Sequence, residues 1–315
     1  MPLKLWKNLI QSLNRLEKLL IQIGLGILRV LSSLPMPVIN VLSSILGFLG
    51  YYCIKKRRNV GLVNLNLCFP EMSEKDKQKL MMQHFKEVMC SAFCYGWLFY
   101  ASPEKLRRVI KIKGLENYTK VRGIRPVIYL VPHFLSLDIG ANRLTLETPG
   151  YSVYSAQRNA YLNERIKDAR LRFIKNQGGE VFSRQEGLRS IVRKMTQTMI
   201  PFYYLPDQDM DEKNSVYVPF FAHPVCATLD TLPKLTQLTN AVVIPVTTYR
   251  EGNHYVMEIS PPLENYPTGN VLADVETMNR QIEKMIMKHP AQYLWMHKRF
   301  KTQPNLPRGK LYENC

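Results

Sequence analysis

The sequence predicts an α/β fold, a mixed, partly parallel sheet flanked by helices, with an N-terminal membrane helix in front of it. Three observations carry that reading. Short apolar, β-rich runs recur along the chain, and segments with apolar residues at helical spacing separate them. Strands alternating with helices build sheets with parallel pairs. Between Lys18 and Lys55 the only charged residue is Arg29, and a bilayer needs about 20 mostly apolar residues to be crossed.

Taken in order, residues 1–55 are read as a membrane-attachment segment made of an amphipathic helix and an apolar helix. Leu5, Trp6, Leu9, Ile10, Leu13, Leu16 and Leu20 fall on one side, with Lys4, Lys7, Arg15 and Lys18 among them. Helices lying along a membrane surface have that character. The apolar run IQIGLGILRVLSSLPMPVINVLSSILGFLGYYCI is interrupted by Pro35 and Pro37, so one straight helix does not follow. No small-residue cleavage site ends it, against a secretory signal. Lys55-Lys56-Arg57-Arg58 comes directly after and favours the cytoplasmic side. Both flanks are basic, so a single crossing and a shallow hairpin both remain open.

Residues 56–304 read as one globular domain. Ser73 to Tyr100 opens on an N-cap signal and continues at helical spacing through Leu80, Met81, Phe85, Val88 and Met89. Val127–Val131 is a buried strand, and 151–156, 201–205, 241–250 and 255–260 are further strands. Helices are predicted over 161–176, 185–198, 228–239 and 271–288. Residues 305–315, rich in Pro and basic residues, read as a loose tail.

The chain carries 43 Lys and Arg against 25 Asp and Glu, a formal +18. Such an excess favours nucleic acid, anionic lipid or an acidic protein as partner. A soluble nucleic-acid binder has no use for the N-terminal segment, so membrane is the preferred reading and nucleic acid is not. The six cysteines contain no CxxC pair and read as reduced thiols in a cytosol-facing protein, with no metal site. Neither GxSxG, a P-loop nor GxGxxG is present, against a serine hydrolase and a nucleotide site.

The sharpest chemical signal is Val131-Pro-His133-Phe-Leu-Ser-Leu-Asp138, just past the carboxyl end of a buried strand, where open α/β sheets place ligands. Five residues turn about 500° in a helix, so His133 and Asp138 meet only if His133 stays in the loop while Asp138 enters the next helix. The carboxylate would then fix the imidazole tautomer and leave the other nitrogen as a base. A capping histidine and an unrelated aspartate is the plain alternative. Asp207 and Asp209, after another strand, can bind a metal, hold an arginine or end the strand in a turn. Arg158, Arg165, Arg170 and Arg172 form a basic helical stretch suited to phosphate, or a solvated face. His297-Lys298-Arg299 and Lys301 can contact a headgroup or be ordinary surface charge.

Together these pieces resemble the late acyltransferases of lipid A biosynthesis, of lauroyl- and myristoyl-transferase type. The resemblance rests on Asn64-Leu-Asn-Leu-Cys-Phe-Pro70, His133-(x4)-Asp138, Asp168-Ala-Arg-Leu-Arg172, Leu205-Pro-Asp-Gln-Asp209 with Val216-Tyr-Val-Pro-Phe-Phe-Ala222, and Tyr293-Leu-Trp-Met-His-Lys-Arg-Phe-Lys301, in that order. It implies a glycerol-phosphate acyltransferase-like fold in a bacterial inner-membrane enzyme whose active site faces the cytoplasm. The activity implied is transfer of a fatty acyl group from acyl carrier protein, the co-substrate, to a 3-hydroxyacyl chain of an anionic lipid A precursor, with no cofactor. It makes His133 and Asp138 catalytic and Asp207 and Asp209 site-lining, holding the arginines of the 158–172 stretch. The reaction also needs an oxyanion donor, for which Arg170 or Arg172 is the candidate, and Arg158, Arg170 and Arg172 with the two aspartates are read as substrate-binding. Relatives often carry Glu at the acid position; Asp138 here alters how His133 is held. Two rivals stay open: an acyltransferase on another acceptor such as glycerol phosphate or a glycolipid, and a non-catalytic basic membrane or nucleic-acid module.

Overall fold

A computed structural model describes residues 2–210, 212–213 and 215–315, with residues 2–14 and 185 described by backbone alone. The amphipathic face expected from Leu5 to Leu13 therefore lies outside the described side chains.

The apolar N-terminal run forms two helices, α1 (Pro2–Ser33) and α2 (Met36–Cys53). Pro35 separates them: it has no N–H to continue the ladder and serves instead as the N-cap of α2, with Pro37 in its first turn. Next come α3 (Lys55–Cys68), α4 (Glu74–Cys94), α5 (Gly96–Tyr100) and α6 (Pro103–Val109). Ser73 caps α4 as the sequence predicts, its hydroxyl accepting from the Asp76 N–H at 3.2 Å.

Alternation then sets in: β1 (Ile110–Lys113), α7 (Leu115–Thr119), β2 (Val127–Leu130), α8 (Leu137–Leu144), β3 (Tyr151–Tyr154), α9 (Ala160–Leu171), β4 (Glu180–Ser183), α10 (Leu188–Thr198) and β5 (Phe202–Tyr204). A hairpin of β6 (Ser215–Phe220) and β7 (His223–Leu229) stands apart, followed by α11 (Thr231–Thr239), β8 (Val242–Glu251), β9 (His254–Ile259) and α12 (Val271–Lys288).

Seven strands form one sheet in the order β1-β9-β8-β2-β5-β3-β4. All neighbours are parallel except the β8–β9 pair, so the sheet is mixed and partly parallel. β2 is buried at all four positions, as a continuous apolar strand in the middle of such a sheet must be. Side chains alternate across the pleat. Ile128, Leu130, Phe202 and Tyr204 pack on one face with Phe134, Phe220, Trp295 and Phe300. Val127, Tyr129 and Tyr203 pack on the other with Trp97, Ile139, Leu144 and Tyr255.

The N-terminal helices are docked on this body. Met36, Ile39, Ser43, Gly47 and Tyr51 form a buried stripe on α2 that lies against α4. The Trp97 indole N–H and the Lys105 ammonium both donate to the Ser32 carbonyl at the end of α1, at 2.7 and 2.8 Å. The outward side is apolar: Leu16, Leu20, Ile23, Ile27 and Val30 on α1, and Val38, Val41, Ile45, Phe48, Leu49 and Tyr52 on α2, are 43–64% exposed. Among the described residues α2 is the helix long and apolar enough to cross a membrane by length and composition.

The last residues are not the loose tail that composition suggested. Tyr312 is buried, and its hydroxyl donates to the Asn64 side-chain oxygen and accepts from the Phe300 N–H. An aromatic ring in reach of a core pocket overrides the polar composition around it.

At Gly47 a side chain has no room: a Cβ there would stand 2.5 Å from the Lys86 Cα. Gly47→Val is expected to lower stability by about 1–3 kcal/mol by lifting α2 off α4, measured as a fall in melting temperature. An unchanged melting temperature would mean that α2 is not docked in this way.

Candidate functional site

His133 and Asp207 meet at the carboxyl ends of two neighbouring parallel strands. β2 and β5 pair in register through Leu130 and Tyr204, so the loops that leave them emerge side by side. The backbone just beyond β2 stays tied to β5, with the Val131 N–H donating to the Tyr204 carbonyl at 2.9 Å. Pro132 follows and removes a donor exactly where the ladder stops.

Asp207 holds His133 twice. One carboxylate oxygen lies 2.6 Å from the ring Nδ1, and the other accepts from the His133 backbone N–H at 2.8 Å. Asp207 is 1% exposed while the His133 side chain is 19% exposed. The acid is therefore inside and the imidazole at the surface of the site. With Nδ1–H donated to the carboxylate, Nε2 is the nitrogen left with a lone pair. Burial pushes the Asp207 carboxyl pKa up, but the His133 charge, its two hydrogen bonds and Arg299 outweigh that, leaving it below the usual carboxylate value.

The His133 loop is fixed from a second side. The Leu294 N–H donates to the His133 carbonyl at 3.0 Å and the Leu135 N–H to the Gln292 carbonyl at 2.9 Å. The 293–301 segment is held in turn by Asn64, whose amide donates to the Trp295 and His297 carbonyls at 2.6 and 2.7 Å. Three of the ordered motifs thus meet around one imidazole.

Arg299 is buried and so is neither ordinary surface charge nor a headgroup contact. Its guanidinium donates to the Ala227 carbonyl at 2.6 Å and the Thr228 hydroxyl at 2.8 Å. Burial opposes its charge, but Cys226, Tyr293, Asp207 and Asp209 around it raise its pKa above the ordinary value. Asp209 accepts from the Thr302 N–H and hydroxyl at 2.7 and 3.0 Å and pairs with Arg308 at 3.4 Å. It ties the end of the chain to the site loop and does not touch Arg170 or Arg172.

Asp138 stands in the first turn of α8, where the sequence placed it, but it is paired with other groups than His133. Its carboxylate pairs with Arg170 at 3.0 Å and accepts from the Tyr95 hydroxyl at 3.3 Å. The sequence-based expectation that Asp138 orients the imidazole is thus replaced by Asp207, because β5 delivers a carboxylate to Nδ1 from the adjacent strand. Arg172 is used up structurally: it donates to the Leu98 and Ala101 carbonyls at 2.9 and 2.7 Å, closing the C-terminal end of α5. Arg158 is exposed in the loop before α9 and makes no hydrogen bond or ion pair among the described residues. No group of three or more metal-binding side chains is found among the described residues.

The arrangement presents a part-exposed imidazole backed by a buried carboxylate, with the Asp138–Arg170 pair on the helices α8 and α9. Such a site accepts a proton from a hydroxyl brought to it. Sequence reasoning named Asp207 but gave it no role toward His133; a strand-end aspartate has many uses, and only strand adjacency shows which applies here.

The model of the bacterial lipid A biosynthesis acyltransferase family matches residues 8–302. The chain is 31% identical over 285 residues to the lipid A biosynthesis lauroyltransferase of Escherichia coli, covering 90% of this chain and 91% of that protein. It is 31% identical over 284 residues to the palmitoleoyltransferase of the same bacterium, covering 89% and 90%. With its myristoyltransferase it shares 28% over 271 residues, covering 85% and 81%.

Two histidines near the site give a pH test of the packing. Burial lowers His84 to about 4, and burial followed by the Arg299 charge lowers His297 to about 4. An unfolded imidazole takes a proton below about 6.5 while these stay neutral in the fold. Their stabilisation is therefore complete above pH 6.5 and lost as pH falls toward 4, by a few kcal/mol each in order of magnitude. Melting temperature is expected to drop across that window, and less steeply in a His84→Asn, His297→Asn double variant. An equal slope in both proteins would contradict the assignment.

Proposed function

Because the chain belongs to the bacterial lipid A biosynthesis acyltransferase family, we propose that it transfers a fatty acyl group from acyl carrier protein to the hydroxyl of a 3-hydroxyacyl chain on a lipid A precursor. The observation that carries the chemistry is the His133–Asp207 pair, 2.6 Å apart, in which the acid is buried and the imidazole part-exposed. His133 Nε2 takes the proton from the acceptor hydroxyl as that oxygen attacks the thioester carbonyl carbon. The tetrahedral centre collapses, the carbon–sulfur bond breaks, and the proton passes to the departing thiolate. The products are an ester and the free carrier thiol, with no acyl-enzyme. Asp207 stabilises the imidazolium formed in between.

Arg170 is the cation we assign to the thioester oxygen. Asp138 and Tyr95 hold it, and its Nε is buried without a partner. A preorganised donor aimed at developing negative charge is worth most in such a partly dry place. Arg172 has no comparable freedom. Acceptor phosphates and an acidic carrier both favour a surface of formal charge +18.

The reading places the enzyme on the cytoplasmic face of the inner membrane. Support comes from the exposed apolar face of α1 and α2 and from exposed Lys55, Lys56 and Arg57 beside it, a pairing suited to acyl chains and anionic headgroups. The stripe that α2 buries against α4 favours monotopic attachment over a lone crossing.

His133→Ala and Asp207→Asn are each expected to lower kcat by about 10²–10⁴, and the double variant by little more than the worse single one, since the pair acts as a unit. Normal transfer by pure, folded His133→Ala enzyme would remove the mechanism. Mass spectrometry of lipid A from a deletion strain tests the substrate: one or more secondary acyl chains should be lost, and unchanged lipid A would refute the assignment.

A further inference from the structure

A cavity of about 100 Å³ lies beneath α8, on the Tyr203 face of the sheet. For scale, an engineered apolar cavity of about 150 Å³ binds benzene. Its mouth carries the Asp138–Arg170 pair, whose side chains are about a quarter exposed. Gly150 and Tyr203 are buried lining residues, and Gly150, just before β3, stands at the amino ends of the parallel strands, opposite the His133 end. Between them the walls include Val131, Ala141, Val181 and Leu205. Asp138 in the first turn of α8 and Thr145 at its C-cap both line the cavity, and seven residues at helical rise span roughly 10 Å.

The cavity lies two residues along the chain from both reacting groups, which do not themselves line it. Val131 and Leu205 line it, and His133 and Asp207 are the next-but-one residues of the same two segments. Two extended residues advance about 7 Å. A thioester carbonyl at His133 would thus have an apolar dead end within a few bonds of it, on the side of Arg170.

We propose that this cavity receives the distal carbons of the donor acyl chain, and that Gly150 and Tyr203 set where the chain must stop. The inference rests on the acyl-transfer reading and adds the specificity-determining residues. The floor is tight: a Cβ on Gly150 would stand 2.6 Å from the Tyr203 ring. Behind it the Tyr203 hydroxyl is buried without a hydrogen-bond partner, so a longer chain pressed against it meets an oxygen and gains no bond in exchange.

The test is the ratio of kcat/KM across saturated acyl thioesters of graded length, with purified full-length enzyme. Gly150→Ala and Ala141→Leu, from opposite walls, should both move the preferred donor to a shorter chain, by about tenfold per methylene displaced. Tyr203→Phe should move it to a longer one. Length profiles unchanged in all three folded variants would overturn the proposal, as would equal losses for every donor. Where a variant does not fold, wild-type enzyme and a thioester with a terminal photoreactive diazirine decide. Labelling of peptides 137–150 and 181–203 supports the cavity, and labelling confined to α1 and α2 refutes it. Wild-type enzyme that transfers no acyl group from any thioester would sink the acyl-transfer reading itself, a result separable from transfer with label elsewhere.

Discussion

A buried carboxylate that grips both the ring and the backbone of His133 is the constraint on which the site depends. Asp207 has almost no contact with water, and a buried anion is costly unless every lone pair is met. The Nδ1–H and the backbone N–H of one residue meet it together. That double contact fixes the imidazole plane, its tautomer and the path of the loop at once. The Arg299 charge supports the acid as well.

This clamp explains why motifs far apart in sequence belong together. Asn64 holds the 293–301 segment, that segment holds the His133 loop, and Thr302 and Arg308 hold Asp209. Apart from the Arg308–Asp209 ion pair, each link satisfies a backbone group, as irregular buried backbone requires. The N-terminal helices join the same body through the Ser32 carbonyl, Trp97 and Lys105. α5 packs against α1 on one side and against α8 and α9 on the other, so it links the helices of the apolar outer face to those that carry the Asp138–Arg170 pair.

Much of this was legible in the sequence, and what was not has physical reasons. The strands at 127–131, 151–156, 201–205, 241–250 and 255–260 were marked by apolar, β-rich runs, and the helices between them by spacing. β1 (IKIK) and β4 (EVFS) are short, half-polar edge-side strands with no such signal. The position of His133 after a strand was readable; its partner was not. Spacing along the chain favoured Asp138, whereas the partner is fixed by which strands lie side by side, and the order β2-β5 is a property of the sheet. Arg172 and Arg299 looked like free cations because a basic residue in a sequence does not show the carbonyls that surround it. The Tyr312 contact was hidden for the same reason.

The most direct test of the central interaction is the protonation state of His133 itself. Nitrogen-15 NMR of enzyme with labelled histidine, assigned through His133→Gln and read on the neutral form of the ring, should show Nδ1 protonated and Nε2 bare, with the Nδ1–H shifted downfield and that signature lost in Asp207→Asn but kept in Asp138→Asn. A proton on Nε2 in the wild type, or a signature that follows Asp138 and ignores Asp207, would contradict the account.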